Sequence, residues 1–258
     1  MSRYLFDNAA PQSAGRFHAL ESRYDPASRK ALERTGIGPG WRCLEIGGGG
    51  GSLGDWLADR AGPDGEVVVT DLAPSPSSRA NVRVLRHDIT RDPLPAGGFD
   101  LIHARLVLLH LPERLAVLER LVGALRPGGR LVLEEFDCTW TPVLAAPDDS
   151  AVPLFERLHS ALMAQLEKAG AEPRWGRQVV GAMLRAGLED VTATTYAESW
   201  QGGGEGIRLH RVNTEQVAGL LEVSAEELDR FLALLDDPSF VVNSYPLVSA
   251  QGRRKPSS

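Results

Sequence analysis

Five consecutive glycines, residues 47–51, separate a short apolar segment, residues 41–46, from a helix-forming segment, residues 52–60. No other feature restricts the fold of this chain as tightly. Glycine has no Cβ, so the backbone can turn sharply there and approach a ligand closely. A helix that begins directly after such a turn offers unpaired N–H groups. Strand, glycine turn and helix together are the nucleotide-site arrangement of an open α/β sheet, whose ligands lie beyond the carboxyl ends of the parallel strands.

The downstream pattern agrees. Residues 66–71 are a β-branched run that finishes on Asp71, and residues 82–88 and 99–103 are two further strands. Residues 112–125 have helical spacing through Leu115, Leu118, Leu121, Val122 and Leu125. Arg126, Pro127, Gly128 and Gly129 break it before a fifth strand at 130–136. Strands alternating with helices imply parallel βαβ units with right-handed crossovers. Upstream, residues 11–36 read as helical, with Pro26 opening a second helix after Asp25. Beyond Asp137 the pattern changes to a loop (139–150), an amphipathic helix (151–170), a helix returning to the sheet (176–186) and a strand (191–200). A glycine-rich loop (201–206) and two short helices (208–221 and 224–236) follow, the second with a capping box at Ser224 and Glu227. Residues 240–249 read as the last strand.

The 258 residues suit one α/β domain with elaborations, and 43% apolar content is enough for a packed core. The net charge of −6 makes nucleic acid a poor partner, because phosphate binding needs a concentrated basic surface. The basic cluster Arg253, Arg254 and Lys255 reads as a solvated tail. Cys43 and Cys138 sit in or beside strand-like runs and read as buried, reduced thiols, with no metal-ligand spacing around them. Neither a signal-peptide core nor a membrane-length apolar run is visible, so a soluble, cytoplasmic protein is expected.

The glycine loop alone is ambiguous. Gly49, Gly51 and Gly54 fit the dinucleotide pattern G-x-G-x-x-G, with Asp71 about 20 residues on. Glu45, Gly47, Gly49 and Gly51 equally fit E-x-G-x-G-x-G. Helices before the first strand, His87-Asp88-Ile89, Phe99 to His103, and the break at residues 125–129 favour the second pattern. These elements, in this order through residues 37–136, resemble the class I (Rossmann-like) S-adenosylmethionine-dependent methyltransferases. More loosely, the whole chain resembles the actinobacterial-type small-molecule methyltransferases. The resemblance implies an α/β fold: a seven-stranded mixed sheet in the order 3-2-1-4-5-7-6, its last strand antiparallel, with helices on both faces and a helical lid. It divides the chain into an N-terminal lid (1–36), a cofactor-binding core (37–138), a helical insertion (139–175) and a C-terminal part with a short helical insertion (176–258).

The resemblance also implies the contacts to S-adenosylmethionine. Gly47, Gly49 and Gly51 pass under its methionine part and ribose, and Glu45 bonds the loop or, through water, the ammonium. Asp71 accepts the two ribose hydroxyls, as a carboxylate suits a vicinal diol. Leu72 lies on the adenine face, Asp88 and the Ile89 N–H meet its edge, and the backbone at His103 or Ala104 meets the amino-acid end.

Methyl transfer from a sulfonium needs mostly positioning, plus a base when the acceptor is a hydroxyl. His110 is the candidate base; a backbone-capping role at the entry of the next helix competes with it. Glu135 and Asp137 are candidates for positioning the acceptor or are plain strand-end carboxylates. Arg105 would pair with an acidic substrate or with Asp137. Phe17, Tyr24, Trp140, Phe155 and His159, with Arg105, would line the acceptor pocket, although aromatics at helical spacing more often form lid core. The expected function is methyl transfer to a small molecule in secondary metabolism, with a homodimer on base rates. A cyclase or decarboxylase that keeps the cofactor, a cofactor-sensing module, and an NAD-dependent oxidoreductase are the alternatives.

Overall fold

The computed structural model describes residues 13–256. In chain order its elements begin with α1 (Ser13–Glu33), β1 (Arg42–Ile46), α2 (Ser52–Ala61), β2 (Glu66–Asp71), β3 (Val82–Arg86) and β4 (Phe99–Arg105). A short 3-10 turn (Leu108–His110), α3 (Arg114–Ala124), β5 (Leu125–Phe136), β6 (Val143–Ala145), α4 (Ala151–Lys168) and α5 (Trp175–Arg185) follow. The chain continues through β7 (Glu189–Tyr196), β8 (Ser199–Gln201), α6 (Arg208–Val217), α7 (Ala225–Leu234), β9 (Val241–Asn243) and β10 (Leu247–Arg253). The first twelve residues of the expected lid lie outside the described residues.

Seven strands form one sheet in the order β3-β2-β1-β4-β5-β10-β7. The strands β1 to β5 pair in parallel, and β10 runs antiparallel to both β5 and β7. This is the Rossmann-like order expected from the sequence. Both faces of the central strands are covered, which is why their sequences are nearly continuous apolar runs. Successive side chains alternate between the faces. Cys43, Val67, Val69 and Leu101 pack under Leu53, Leu57 and Ala61 of α2, with Leu32 of α1. Leu44, Ile46, Val68 and Ile102 face α3 and α5 through Val117, Leu121, Val179 and Met183.

A third cluster caps the carboxyl edge of the sheet. Leu158, Leu162 and Leu166 of α4 meet Leu209 of α6, Phe231 of α7, and Trp200 and Val242 of the small strands. These strands form a second sheet, β6-β9-β8, that sequence patterning did not anticipate. The expected strands 191–200 and 240–249 each split in two. At the split, Glu198 N–H donates to Ser244 Oγ at 3.0 Å and Ser244 N–H donates to the Glu198 carbonyl at 2.8 Å. Pro246 has no N–H to continue a ladder, so the two chains leave one sheet and enter the other together at this point. Part of the expected loop 139–150 supplies the edge strand β6.

Three further expectations are corrected. Pro26 lies inside α1 instead of opening a new helix. Only one helical hydrogen bond is lost there, and burial of Tyr24 and Leu32 on either side holds the helix together. The break at residues 125–129 is absorbed into β5, with a register shift opposite Phe99 and Leu101. The basic terminus is no solvated tail. Arg254 N–H donates to the Gly129 carbonyl at 2.8 Å, its guanidinium reaches the Gly123 carbonyl, and Arg253 pairs with Asp190 at 2.9 Å.

Candidate functional site

A cavity of about 590 Å³ opens at the carboxyl ends of β1, β2, β3 and β4 and runs beneath α4 and α6. One half is built on the glycine loop. Gly47 has φ +69°, and a Cβ there would meet Val107 Cγ2 at 2.4 Å, so only glycine lets the loop pass under the 106–107 segment. A Cβ on Gly50 would meet the carboxylate of Glu21 at 2.2 Å, because α1 lies across the loop. Asp71, at the end of β2, accepts from Gly49 N–H at 3.1 Å and from Ala73 N–H at 2.9 Å. Each carboxylate oxygen keeps a free lone pair for a further donor. Leu72 is 52% exposed beside it, an apolar face lining the cavity. Asp88 accepts from the Thr90 N–H and hydroxyl at 2.9 and 2.6 Å. Burial works against its charge, but these hydrogen bonds outweigh it and lower the pKa.

Beneath this half a row of polar side chains crosses four adjacent strands. His103 of β4 is fully buried and donates to Glu45 of β1 at 2.6 Å and to Glu134 of β5 at 3.1 Å. Ser249 of β10 bonds the far oxygen of Glu134. Burial pushes the histidine pKa down, but the Glu45 charge and the hydrogen bonds to both carboxylates prevail and raise it to about 9. Burial would raise the Glu134 pKa, and the His103 hydrogen bond and charge keep it low instead. At neutral pH His103 is an imidazolium held between the Glu45 and Glu134 side chains, and Glu45 lines the cavity wall.

The other half of the cavity is apolar. Phe136, Leu162, Met163, Leu166 and Leu209 line it, with Cys138, Asn213 and Tyr245 as neutral polar members. Phe17 and Leu20 of α1 and the segment 105–107 stand between the halves. Leu106 is held at φ +57°, an unusual backbone for leucine, where the chain leaves β4 for the 3-10 turn. Glu135 pins that turn from behind, accepting from Leu108 N–H at 3.0 Å and Leu109 N–H at 3.3 Å. Burial raises the Glu135 pKa to about 8 against these backbone bonds.

The structure brings most of the sequence candidates together. Glu45, Gly47, Gly49, Asp71, Leu72, Asp88, Ile89, Phe17, Arg105 and His110 all line the cavity. Others do not. Gly51 closes the first turn of α2 as its N-cap at φ +95°. The lining after β4 is residues 105–107, because the strand runs on to Arg105, one residue past Ala104, and His103 and Ala104 stay in the sheet. Glu135 sits behind the 3-10 turn, and Asp137 is held by Arg177 and Thr139, so neither faces the cavity. Arg105 pairs with Asp25 at 2.9 Å and with Ser28 at 3.1 Å, and not with Asp137.

Four aromatic candidates also lie elsewhere. Tyr24 is buried against Phe136 and donates to the Tyr245 carbonyl at 2.9 Å. Phe155 and His159 stack within the cap, and His159 donates to the Cys138 carbonyl at 2.8 Å. Trp140 is 53% exposed. Among the pocket residues missed in the sequence are Glu21, Arg91, Val107, Glu113, Met163 and Tyr245. Leu162 and Leu166 carried a signal as part of the apolar stripe of α4, and Leu20 as an apolar position of α1. Among the described residues, no group of three or more His, Cys, Asp or Glu side chains is placed to hold a metal.

The glycine cradle, the strand-end carboxylate and the apolar face beside it fit an adenosyl ligand. Residues 44–131 match a family described as a methyltransferase domain. Over this stretch the chain is similar to methyltransferase domains. The matched stretch holds the glycine loop, Asp71, Asp88 and His103. Methyltransferase str2 of Strobilurus tenacellus is 33% identical over 151 residues, covering 57% of this chain and 52% of that protein. The ubiquinone/menaquinone biosynthesis C-methyltransferase UbiE of Cupriavidus necator is 30% identical over 160 residues, covering 54% of this chain and 66% of that protein. The alignments thus span about half to two thirds of these relatives' own lengths. In fold, the chain is similar to Haemonchus contortus phosphoethanolamine N-methyltransferase 2. The TM-score is 0.55 at 16% identity, over 96% of this chain and 58% of that one.

Proposed function

We propose that the protein transfers a methyl group from S-adenosylmethionine to a small-molecule acceptor. One observation carries this reading: a single cavity joins the glycine loop and Asp71 to an apolar chamber walled by α4 and α6. The loop backbone and Glu45 would hold the amino-acid part of the cofactor, Asp71 the ribose hydroxyls, Leu72 the adenine face and Asp88 its amino group. When bound, S-adenosylmethionine supplies a methyl group already activated by its sulfonium, for displacement in line with an acceptor lone pair.

The chain's own contribution is placement and exclusion of water. Leu162, Leu166 and Leu209 cover the acceptor side. His110, on the 3-10 turn at the cavity, would take the proton of a hydroxyl acceptor. Glu135 fixes the backbone of that turn, and so positions His110 without touching substrate. We assign α1 and α4 to the lid and place the protein in secondary metabolism in the cytoplasm. Its buried free thiols and the lack of a membrane-length apolar helix among the described residues support that compartment.

Calorimetric titration with S-adenosylhomocysteine tests the first half of this reading, and NAD binding in its place would overturn it. Incubation with methyl-labelled cofactor and candidate acceptors tests the second half. Label should appear in the acceptor in step with S-adenosylhomocysteine; product formed without label would point to cyclase or decarboxylase chemistry instead.

A further inference from the structure

The turn after β3 carries Asp88, the carboxylate assigned to the adenine amino group. Residues 87–91 line the cavity there and belong to no helix or strand. Their strand, β3, is the outermost of the sheet, so no further strand steadies the turn that follows it. A turn in that position has many arrangements of its peptide groups open to it, and the direction of Asp88 varies with them. Selecting one base over another needs a carboxylate held in one direction.

Arg120 of α3 supplies that restraint from outside the cavity lining. One guanidinium nitrogen donates to the Ile89 carbonyl at 2.7 Å, and another donates to the Asp92 carbonyl at 2.5 Å. Both bonds lead back to Asp88. The Ile89 carbonyl and the Thr90 N–H belong to one planar peptide and point opposite ways. Arg120 grips the carbonyl end. Asp88 Oδ1 accepts from the N–H end at 2.9 Å and from the Thr90 hydroxyl at 2.6 Å. With Oδ1 committed to Thr90, Oδ2 is the oxygen that can meet a ligand, and Arg91 reaches it only at 3.5 Å from an exposed side chain. The second bond acts through Asp92. Asp92 Oδ2 accepts from the Asp88 N–H at 2.8 Å, and the Asp92 N–H donates to the Asp88 carbonyl at 2.8 Å. A guanidinium fork can hold two carbonyls in fixed directions, which the single ammonium of lysine cannot. The fork stands on a packed element, since Val117, Leu118 and Leu121 bury α3 against the sheet.

We propose that Arg120 is a positioning residue for the cofactor base: it orients the Asp88 carboxylate and so sets the preference for adenine over a base with oxygen in place of the amino group. The inference rests on the methyltransferase reading of the cavity, which assigns Asp88 to the adenine amino group.

Two ligands titrated calorimetrically into the full chain test it: S-adenosylhomocysteine and S-inosylhomocysteine, which differ at the group that meets Asp88. The unaltered protein should prefer the adenosyl ligand by about 10- to 100-fold, the worth of one hydrogen bond to a charged group. Arg120→Met should bind S-adenosylhomocysteine about ten-fold more weakly and S-inosylhomocysteine within about three-fold of the unaltered protein, so the preference shrinks. Arg120→Lys should hold one carbonyl at a time and show an intermediate preference, and it serves as the second variant if the methionine protein does not fold. A merely structural arginine would lower the melting temperature or weaken both ligands alike and leave their ratio unmoved. An undiminished preference in whichever variant folds, equal losses for the two ligands, or no preference in an unaltered protein that binds S-adenosylhomocysteine would overturn the proposal. Failure of S-adenosylhomocysteine to bind the unaltered protein would instead overturn the methyltransferase reading itself.

Discussion

The two halves of the cavity are built on opposite principles. The cofactor half stands on strand ends of one sheet, and its polar groups come from backbone and from carboxylates. A buried ionic row, Glu45–His103–Glu134, braces it from inside the sheet. The other half is assembled from α4, α6 and the segments at the ends of β5 and β9, and its walls are mainly apolar. Charge suits the first because its ligand carries an ammonium and a diol and always lands in one place. Apolar walls suit the second, where the fit of shape decides what enters.

The sharpest way to break this comparison is to remove the brace. His103→Leu should cost about 3–5 kcal/mol in denaturant unfolding, because two buried carboxylates lose the cation between them. A loss under about 1 kcal/mol would mean that the row is not charged. The pH profile follows from the same group. An imidazole raised to about 9 contributes its full stabilisation below its ordinary pKa of 6.5, and that contribution is lost as pH rises through 9. Between about pH 7 and 9 the unaltered protein should therefore lose stability faster than His103→Gln, by up to about 1.4 kcal/mol per pH unit. Parallel curves for the two proteins would leave the raised pKa without support.

Next in size, Leu162→Ala should cost about 2–4 kcal/mol by opening a void between α4 and its neighbours. Its S-adenosylhomocysteine affinity should stay within about two-fold, because distant sites act independently. Coupling of the two losses would show that the halves are one unit. Asp71→Ala should do the reverse: about 10- to 100-fold weaker S-adenosylhomocysteine binding by calorimetry, with a smaller change in stability. Smallest is Ser224→Ala, which removes the cap of α7 and should cost about 1 kcal/mol. That change lies behind the acceptor chamber, so ligand affinity on either side should not move.

Legibility in the sequence divides along the same line. The glycine loop, the β-branched runs, Asp71 and the capping box at Ser224 were all readable, because each is a local pattern with a local cause. Tyr24 and Phe155 read as pocket aromatics and proved to be packing, since helical spacing places a side chain on a face without saying what the face meets. His103 read as cofactor-facing and is buried, because a strand's length beyond the sheet edge depends on its partners. The row it belongs to joins residues 58 and 31 apart in sequence. No window along the chain contains it.

What the sequence determined by itself is the parallel α/β sheet, the nucleotide loop and the residues at its strand ends. These follow from periodicity, glycine's lack of a side chain and helix capping, and all act within a few residues. Tertiary structure alone decided the second sheet, the docking of Arg253 and Arg254 onto the start of β5, the charged row beneath the loop and the apolar chamber under α4 and α6. Each of these needs segments far apart in the chain to meet, and the energy that brings them together is burial and pairing across the fold, which no single segment carries.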